Sequence, residues 1–354
     1  MRTLPLPIAP GGDPFGTHRS VSPKGALPQP ADRVDNDFSR LFAGEMLVGV
    51  ETLNVDAASF RQMEEACAKD GGTVEERVLG TVRERGKQHN RVTGSGGMLL
   101  GRVLELAPGR PQAEAASVGD RVASLVSLSL TPLFIEQVKA VRPASAQLDV
   151  VGKAVLFASS PYARMPADLP ERVALAALDV AGAAPQVARL VRPGAVVVIL
   201  GGGGKSGVLC ACEARKAGGA GATIVAVESH APFAEELEAL GYCSAVVRAD
   251  ARDPVATRKA VLDKTGGREA DLVLSCVNVP DAEMSAILCA KDRGVVYFFA
   301  MSTSFTKAAL GAEGVGKDVD LMIGNGYALG HAEHTLAMLR TDAALLRCFE
   351  RRYG

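Results

Sequence analysis

Ala195–Gly207 reads AVVVILGGGGKSG. A wholly apolar run ends in four glycines, and a helical pattern opens directly behind them. Only glycine lets a backbone turn this sharply and bring its N–H groups within bonding distance of a phosphate. Read as G-x-G-x-x-G, the register is Gly202, Gly204 and Gly207, so the turn gathers Gly202, Gly203, Gly204, Lys205, Ser206 and Gly207. A second strand, Ala222–Val227, ends in Glu228, about 20 residues on, where the dinucleotide fingerprint places its acidic residue. Glu228 can accept both hydroxyls of an adenosine ribose and repels a 2′-phosphate, so NAD is expected over NADP. His230 and Arg248 could neutralise such a phosphate, which leaves some use of NADP open. A phosphate-binding P-loop would need glycine at position 199, and Ile199 stands there.

The rest of the chain sets bounds. Its 354 residues suggest two domains. With 39 basic and 40 acidic residues, it has no overall field to attract nucleic acid or an anionic membrane. No apolar run approaches the roughly 20 residues that span a bilayer, and the first residues lack the apolar core of a secretion signal. A cytoplasmic protein is expected. Cys67, Cys210, Cys212, Cys243, Cys276, Cys289 and Cys348 form no C-x-x-C and no zinc-like cluster, so free thiols and no metal are expected. His331 and His334 lie three apart on a predicted helix but lack a third ligand.

Residues 1–36, rich in Pro and Gly, read as an extended arm laid over the surface. Glu45–Leu53 reads as a strand, and 57–86 as helical, with Val74, Val78, Leu79 and Val82 at helical spacing. From Val92 to Ile135, short β runs broken by glycine suggest a compact β-rich unit, with a turn at Gly119-Asp120. From about Asp168, helix and strand alternate. A helix or helix pair covers ERVALAALDVAGAAPQVARLV, and a helix over Lys205–Lys216 stops at Gly218-Gly219. In the next helix Phe233, Leu237 and Leu240 set one face on the sheet. Strands are predicted at Ala245–Val247, Asp271–Cys276, Gly294–Phe299 and Asp320–Ile323. The expected fold class is α/β: a β-rich domain with its arm over 1–165, then a doubly wound parallel Rossmann sheet over 166–354. The ends of its later strands, Cys276-Val277-Asn278 and Ala300-Met301-Ser302-Thr303, should line the nicotinamide crevice.

A β-rich unit followed by a Rossmann unit resembles the medium-chain dehydrogenase/reductase superfamily. VGDRV and ERVALAALDVAGAAPQVARLVRPGAVVVILGGGG carry that likeness. Within the superfamily the chain is similar to the L-erythro-3,5-diaminohexanoate dehydrogenases of lysine fermentation. The similarity runs through nearly the whole chain and is most specific in FGTHRSVSPKGALPQPADRVDN (Phe15–Asn36), VETLNVDAASFRQ (Val50–Gln62) and GKQHNRVTGSGGMLLG (Gly86–Gly101). The resemblance implies a GroES-like catalytic domain and NAD(P)-linked oxidative deamination at C3, giving 5-amino-3-oxohexanoate, ammonia and reduced cofactor. The superfamily's zinc enzymes carry Gly-His-Glu near the third stretch. Here it reads Gly96-Gly97-Met98, so no zinc ligand is expected there.

Without zinc, the chemistry needs other means. A hydride leaves carbon readily only when the attached amine is neutral, so a base must hold or remove that proton. His89 is the first candidate base, and Lys87 the second if desolvation lowers its pKa. Glu51 and Asp56 could receive the substrate's ammonium groups, while Lys87 or Arg91 could hold its carboxylate. Asn54, Thr93 and Ser95 could orient the amine or a water, with Ser127 and Ser129 as weaker options. Catalysis is expected in the cleft between domains. Two other readings stay open: a zinc-free quinone, enone or enoyl-thioester reductase of the same architecture, and a non-catalytic NAD(H)-binding redox sensor. The partner is a small molecule, and a late edge strand of the nucleotide sheet suggests a homo-oligomer, dimer or tetramer.

Overall fold

The segment MLVGVETLN buries residues on both faces, which suits a central strand. This strand, β1 (Met46–Asn54), pairs antiparallel with β2 (Met98–Leu106) on one side. On the other it pairs antiparallel with a long strand at Gln147–Leu156. Between Val50 and Thr52 its register slips against both neighbours, so Glu51 sits on a bulge. The sheet also holds β3 (Arg121–Ser124), β4 (Leu133–Arg142) and β6 (Tyr162–Arg164), with Gln147–Leu156 as β5. Its spatial order is β6-β3-β2-β1-β5-β4. This computed structural model describes residues 5–91, 94–110, 116–300 and 302–354, and of Ala57 and Ala58 only the backbone. The chain divides between Glu171 and Arg172 into two units, of which this sheet is the centre of the first.

The helical stretch after β1 is two helices. Asp56 caps α1 (Ala57–Asp70), and Gly71 closes it with a left-handed φ of 76°. A reciprocal Thr73–Glu76 capping box then starts α2 (Val74–Arg85). Val78 and Val82 of α2 join Val48, Val50, Leu53 and Phe60 in the core, with Val74 and Leu79 packed at its margin. The arm is anchored rather than merely draped. Arg19 is fully buried and donates from Nε and Nη2 to the two carboxylate oxygens of Glu45, each at 2.8 Å.

The second unit is a six-stranded parallel sheet: β7 (Val196–Leu200), β8 (Thr223–Val227), β9 (Ala245–Val247), β10 (Ala270–Ser275), β11 (Ala290–Phe298) and β12 (Asp320–Ile323). Its order, β9-β8-β7-β10-β11-β12, is the doubly wound 3-2-1-4-5-6 arrangement. Every residue of β7 is buried, as a strand covered on both faces requires. Its helices are α3 (Glu171–Leu178), α4 (Ala183–Leu190), α5 (Lys205–Gly218), α6 (Ala231–Leu240), α7 (Pro254–Thr265), α8 (Glu283–Cys289), α9 (Phe305–Gly314), α10 (His331–Thr341) and α11 (Ala343–Tyr353). One expectation needs correction in α6. Ala234 and Leu237 are buried, but Phe233 is 38% exposed, because the Arg352 guanidinium rather than the sheet covers its ring, 4.5 Å from the centroid.

Candidate active site

At the end of β7, Gly201 reverses the chain with φ 72°. A Cβ at Gly207 would lie 2.3 Å from the Gly201 carbonyl oxygen, so α5 starts hard against the turn. At Gly204 the nearest atom to an added Cβ is 3.6 Å away, which leaves this side of the turn open. Gly204 is also the N-cap of α5 and supplies no side-chain acceptor. First-turn N–H groups beside open space fit a pyrophosphate.

Glu228, directly after β8, is buried. Its Oε2 accepts the Gly203 N–H at 2.9 Å and its Oε1 accepts the His230 N–H at 2.9 Å. Each oxygen keeps a second lone pair for a ribose hydroxyl. His230 and Arg248 are exposed. Lys205 does not stand free for a phosphate: its Nζ lies 2.5 Å from Asp179 Oδ2.

The Cys276 N–H donates to Leu200 O at 2.9 Å, which locks the end of β10 to the end of β7. These two strands are the topological switch point. Ser302 Oγ donates to Val277 O at 3.0 Å, tying the loops that follow β10 and β11. Asn278 is exposed in the same loop. Inside the turn, Cys276 Sγ lies 3.9 Å from Cys210 Sγ of α5. The structure therefore brings Gly202–Gly207, Glu228 and Cys276–Asn278 with Ser302 together at the carboxyl ends of β7, β8, β10 and β11. Met301 lies outside the described residues.

In the first unit, three segments meet at the end of β1. A Cβ at Gly97 would lie 2.1 Å from Asn54 O, and one at Gly96 2.2 Å from Gln88 O. Asn54 is buried, and its Oδ1 accepts Gln147 Nε2 at 3.1 Å, which fixes the amide. Asp56 Oδ1 caps α1 by accepting the Ser59 N–H at 2.9 Å. Its Oδ2 is buried with no hydrogen-bond partner. Gln88 Oε1 is in the same state. Ser127 Oγ accepts the Gly96 N–H at 3.0 Å and the Ser129 hydroxyl at 2.9 Å, and Ser95 Oγ accepts the Gly97 N–H at 3.4 Å. The set does not fit zinc. A side chain at Gly97 would collide with Asn54, and no group of three ligand-type side chains gathers among the described residues. Thr93 lies outside them.

Gln88, His89 and Asn90 line a cavity of about 210 Å³ together with Met63, Arg77 and Arg85. Arg85 Nη1 lies 3.1 Å from His89 Nδ1. Burial, and then the positive charges of Lys87, Arg85 and Arg91, push the imidazole pKa down to about 4. The ring is therefore neutral near pH 7. A guanidinium can only donate, so Nδ1 accepts and the proton sits on Nε2. The expected base, His89, thus presents an N–H donor in this state.

Three further expectations change. Lys87 is fully buried, with Nζ 2.5 Å from Pro28 O and 2.9 Å from Gln29 O, so it ties down the arm. Burial, and then Arg85, lower its pKa to about 8. Glu51, turned outward on its bulge, pairs with Arg121 at 2.6 Å and Arg102 at 3.8 Å. Arg91 is exposed and pairs with Glu84 at 3.2 Å. Sequence reasoning passed over Gln88 and Arg85 in this site. Gln88 carries no charge to draw notice, although it lies between Lys87 and His89.

The description L-erythro-3,5-diaminohexanoate dehydrogenase N-terminal domain belongs to the family whose model matches residues 18–166. The L-erythro-3,5-diaminohexanoate dehydrogenase of Acetoanaerobium sticklandii is 47% identical over 342 residues, 97% of this chain and 99% of that protein. The enzyme of the same name from Fusobacterium nucleatum is 46% identical over the same shares. Among solved structures, a mycobacterial protein complexed with NADPH is similar with a TM-score of 0.54 at 16% identity, covering 88% of this chain and 87% of that one. An alcohol dehydrogenase from Thermotoga maritima reaches 0.54 at 15% identity, covering 86% and 84%. These structural likenesses show the fold alone: a Rossmann-type parallel sheet in one unit and an antiparallel sheet in the other.

Proposed function

The chain belongs to the L-erythro-3,5-diaminohexanoate dehydrogenase family, and from that premise we propose that it oxidises L-erythro-3,5-diaminohexanoate at C3 with NAD. The balanced reaction takes the C3 ammonium compound, NAD and water to 5-amino-3-oxohexanoate, ammonium, NADH and one proton. Bound NAD supplies the hydride acceptor. The observation that carries the redox reading is the Gly203 N–H bond to Glu228 at the open glycine turn. The same carboxylate opposes a 2′-phosphate, which supports NAD over NADP.

In the catalytic unit, Asp56 Oδ2 supports the role of proton acceptor, since a buried carboxylate oxygen without a partner is suited to draw an ammonium proton. Gln88 Oε1 supplies a neutral acceptor for the substrate's other ammonium. His89, as a neutral N–H donor, suits an oxygen: the substrate carboxylate or the hydroxyl formed when water adds to the iminium. Asn54, fixed by Gln147, orients the reacting nitrogen.

The same reading sets the reaction in the cytoplasm, and the seven free thiols support it. No single described helix is long and apolar enough to cross a membrane. A homo-oligomer belongs to the same reading. Among the described residues strand β12 pairs only with β11, and Ile323 at its end is 64% exposed. The decisive assay mixes purified protein, NAD and the diamino acid and measures NADH and ammonia together. Equal yields support the proposal. NADH binding with neither product would favour a sensor, and reduction of an enone without ammonia release would favour a reductase.

A further inference from the structure

The peptide between Gly203 and Gly204 is held from a distant helix. Arg352 of α11 donates from Nη1 to Gly203 O at 2.6 Å. Its guanidinium is itself fixed: Nε donates to Glu236 Oε2 at 2.6 Å, and the Phe233 ring lies beneath it. Its side chain is only 11% exposed. On the other flank of the same residue, the Gly203 N–H is held by Glu228. Two successive peptide planes of the turn are thus pinned, one by an acid and one by a base.

Glycine peptides flip easily because no Cβ restricts the neighbouring dihedrals. In a trans peptide the C=O and N–H point opposite ways. The N–H of the 203–204 plane, that of Gly204, donates to Gly201 O at 3.3 Å, so a flip would break this turn bond and swing a carbonyl oxygen toward the entrance to α5, where an anion would be repelled.

We propose that Arg352 is a positioning residue for the dinucleotide: it holds the Gly203 carbonyl away from the anion site, so that the open glycine turn is preset for pyrophosphate. The inference rests on the nucleotide reading above. It differs from a plain docking role for α11, because the loss should follow the pyrophosphate and not the adenosine. Arg351 also pairs with Glu236 at 2.5 Å, so the carboxylate keeps a partner when Arg352 is replaced.

The experiment is calorimetric titration of NADH, ADP-ribose and adenosine into the unaltered chain, Arg352→Met and Arg352→Lys. Arg352→Met is expected to weaken NADH and ADP-ribose about tenfold, and adenosine less than about twofold. In turnover the loss should fall on KM for NAD rather than on kcat. Arg352→Lys should recover part of the affinity, since it donates one bond without the planar fork. NADH affinity unchanged in Arg352→Met, or adenosine weakened as much as ADP-ribose, would overturn the inference. An unaltered chain that binds no NADH would instead sink the nucleotide reading and the inference with it. Should Arg352→Met fail to fold, Glu236→Gln loosens the same guanidinium; a loss of about threefold in the same pattern is then expected, and no loss overturns the inference.

Discussion

Arg85 donates to Nδ1 of His89 across 3.1 Å, and this bond decides which proton the imidazole carries. With Nδ1 occupied and the ring neutral, His89 has an N–H to offer at Nε2 and no lone pair to take a proton. His89→Gln, whose amide can donate from a similar reach, should therefore keep kcat/KM within about fivefold, while His89→Ala loses more than about tenfold. The acid limb of the pH–rate profile should persist in both. Its disappearance in His89→Gln would return the base to this residue.

Asp56 divides its two carboxylate oxygens between structure and chemistry. Oδ1 caps α1 through the Ser59 N–H, and Oδ2 has no partner. Asn serves as an N-cap about as well as Asp, so Asp56→Asn should cost under about 1 kcal/mol of stability. It removes the proton acceptor, however, and kcat/KM should drop on the order of a hundredfold. Paired measurement of urea unfolding and turnover checks this. A variant that keeps full turnover excludes Asp56 from proton transfer.

What could be read along the chain was what local chemistry dictates. The glycine turn, the helix breaks and the strands at Val196 and Ala245 follow from residue pattern over a few positions. The fate of single charges did not, because their partners come from far away in sequence. Lys87 looks like a reactive amine until the arm's Pro28 and Gln29 carbonyls, 59 and 58 residues earlier, claim it. Glu51 reads as a carboxylate for a substrate ammonium, but it sits on a bulge and pairs with Arg121. Phe233 fits an apolar stripe, yet Arg352, which also grips Gly203 149 residues away, lies across it. Each miss is a tertiary contact overriding a local signal.

Glu228 braces the turn, and the proposed function also gives it the ribose. Glu228→Gln keeps an acceptor for one backbone N–H but sets an amide donor against the other and removes the charge. Its kcat/KM with NAD should fall about tenfold, and that with NADP by less than about threefold. The preference for NAD over NADP then narrows. A ratio of the two kcat/KM values that does not move would mean that the carboxylate makes no contact with the ribose.

Two histidines of the first unit should give its stability opposite slopes with pH. His18 lies between Asp13 and Glu45, at 3.0 and 2.9 Å. Burial works to lower its pKa, but the hydrogen bonds and charges of Glu45 and Asp13 prevail and raise it above 6.5. Its contribution is therefore complete below the unfolded value and is lost as pH rises through the folded one. His89 behaves in reverse. Its pKa falls from 6.5 to about 4, so the unfolded chain binds the extra proton first. Stability from its neutral state is complete above 6.5 and is lost as pH falls toward about 4. Urea midpoints measured from about pH 4.5 to about pH 8.5 test both signs. His18→Gln should destabilise most on the acid side, with the gap to the unaltered chain closing as pH rises. His89→Gln should flatten the decline on the acid side. A His18→Gln deficit that instead grows with pH would show that the imidazole is held neutral between its two carboxylates.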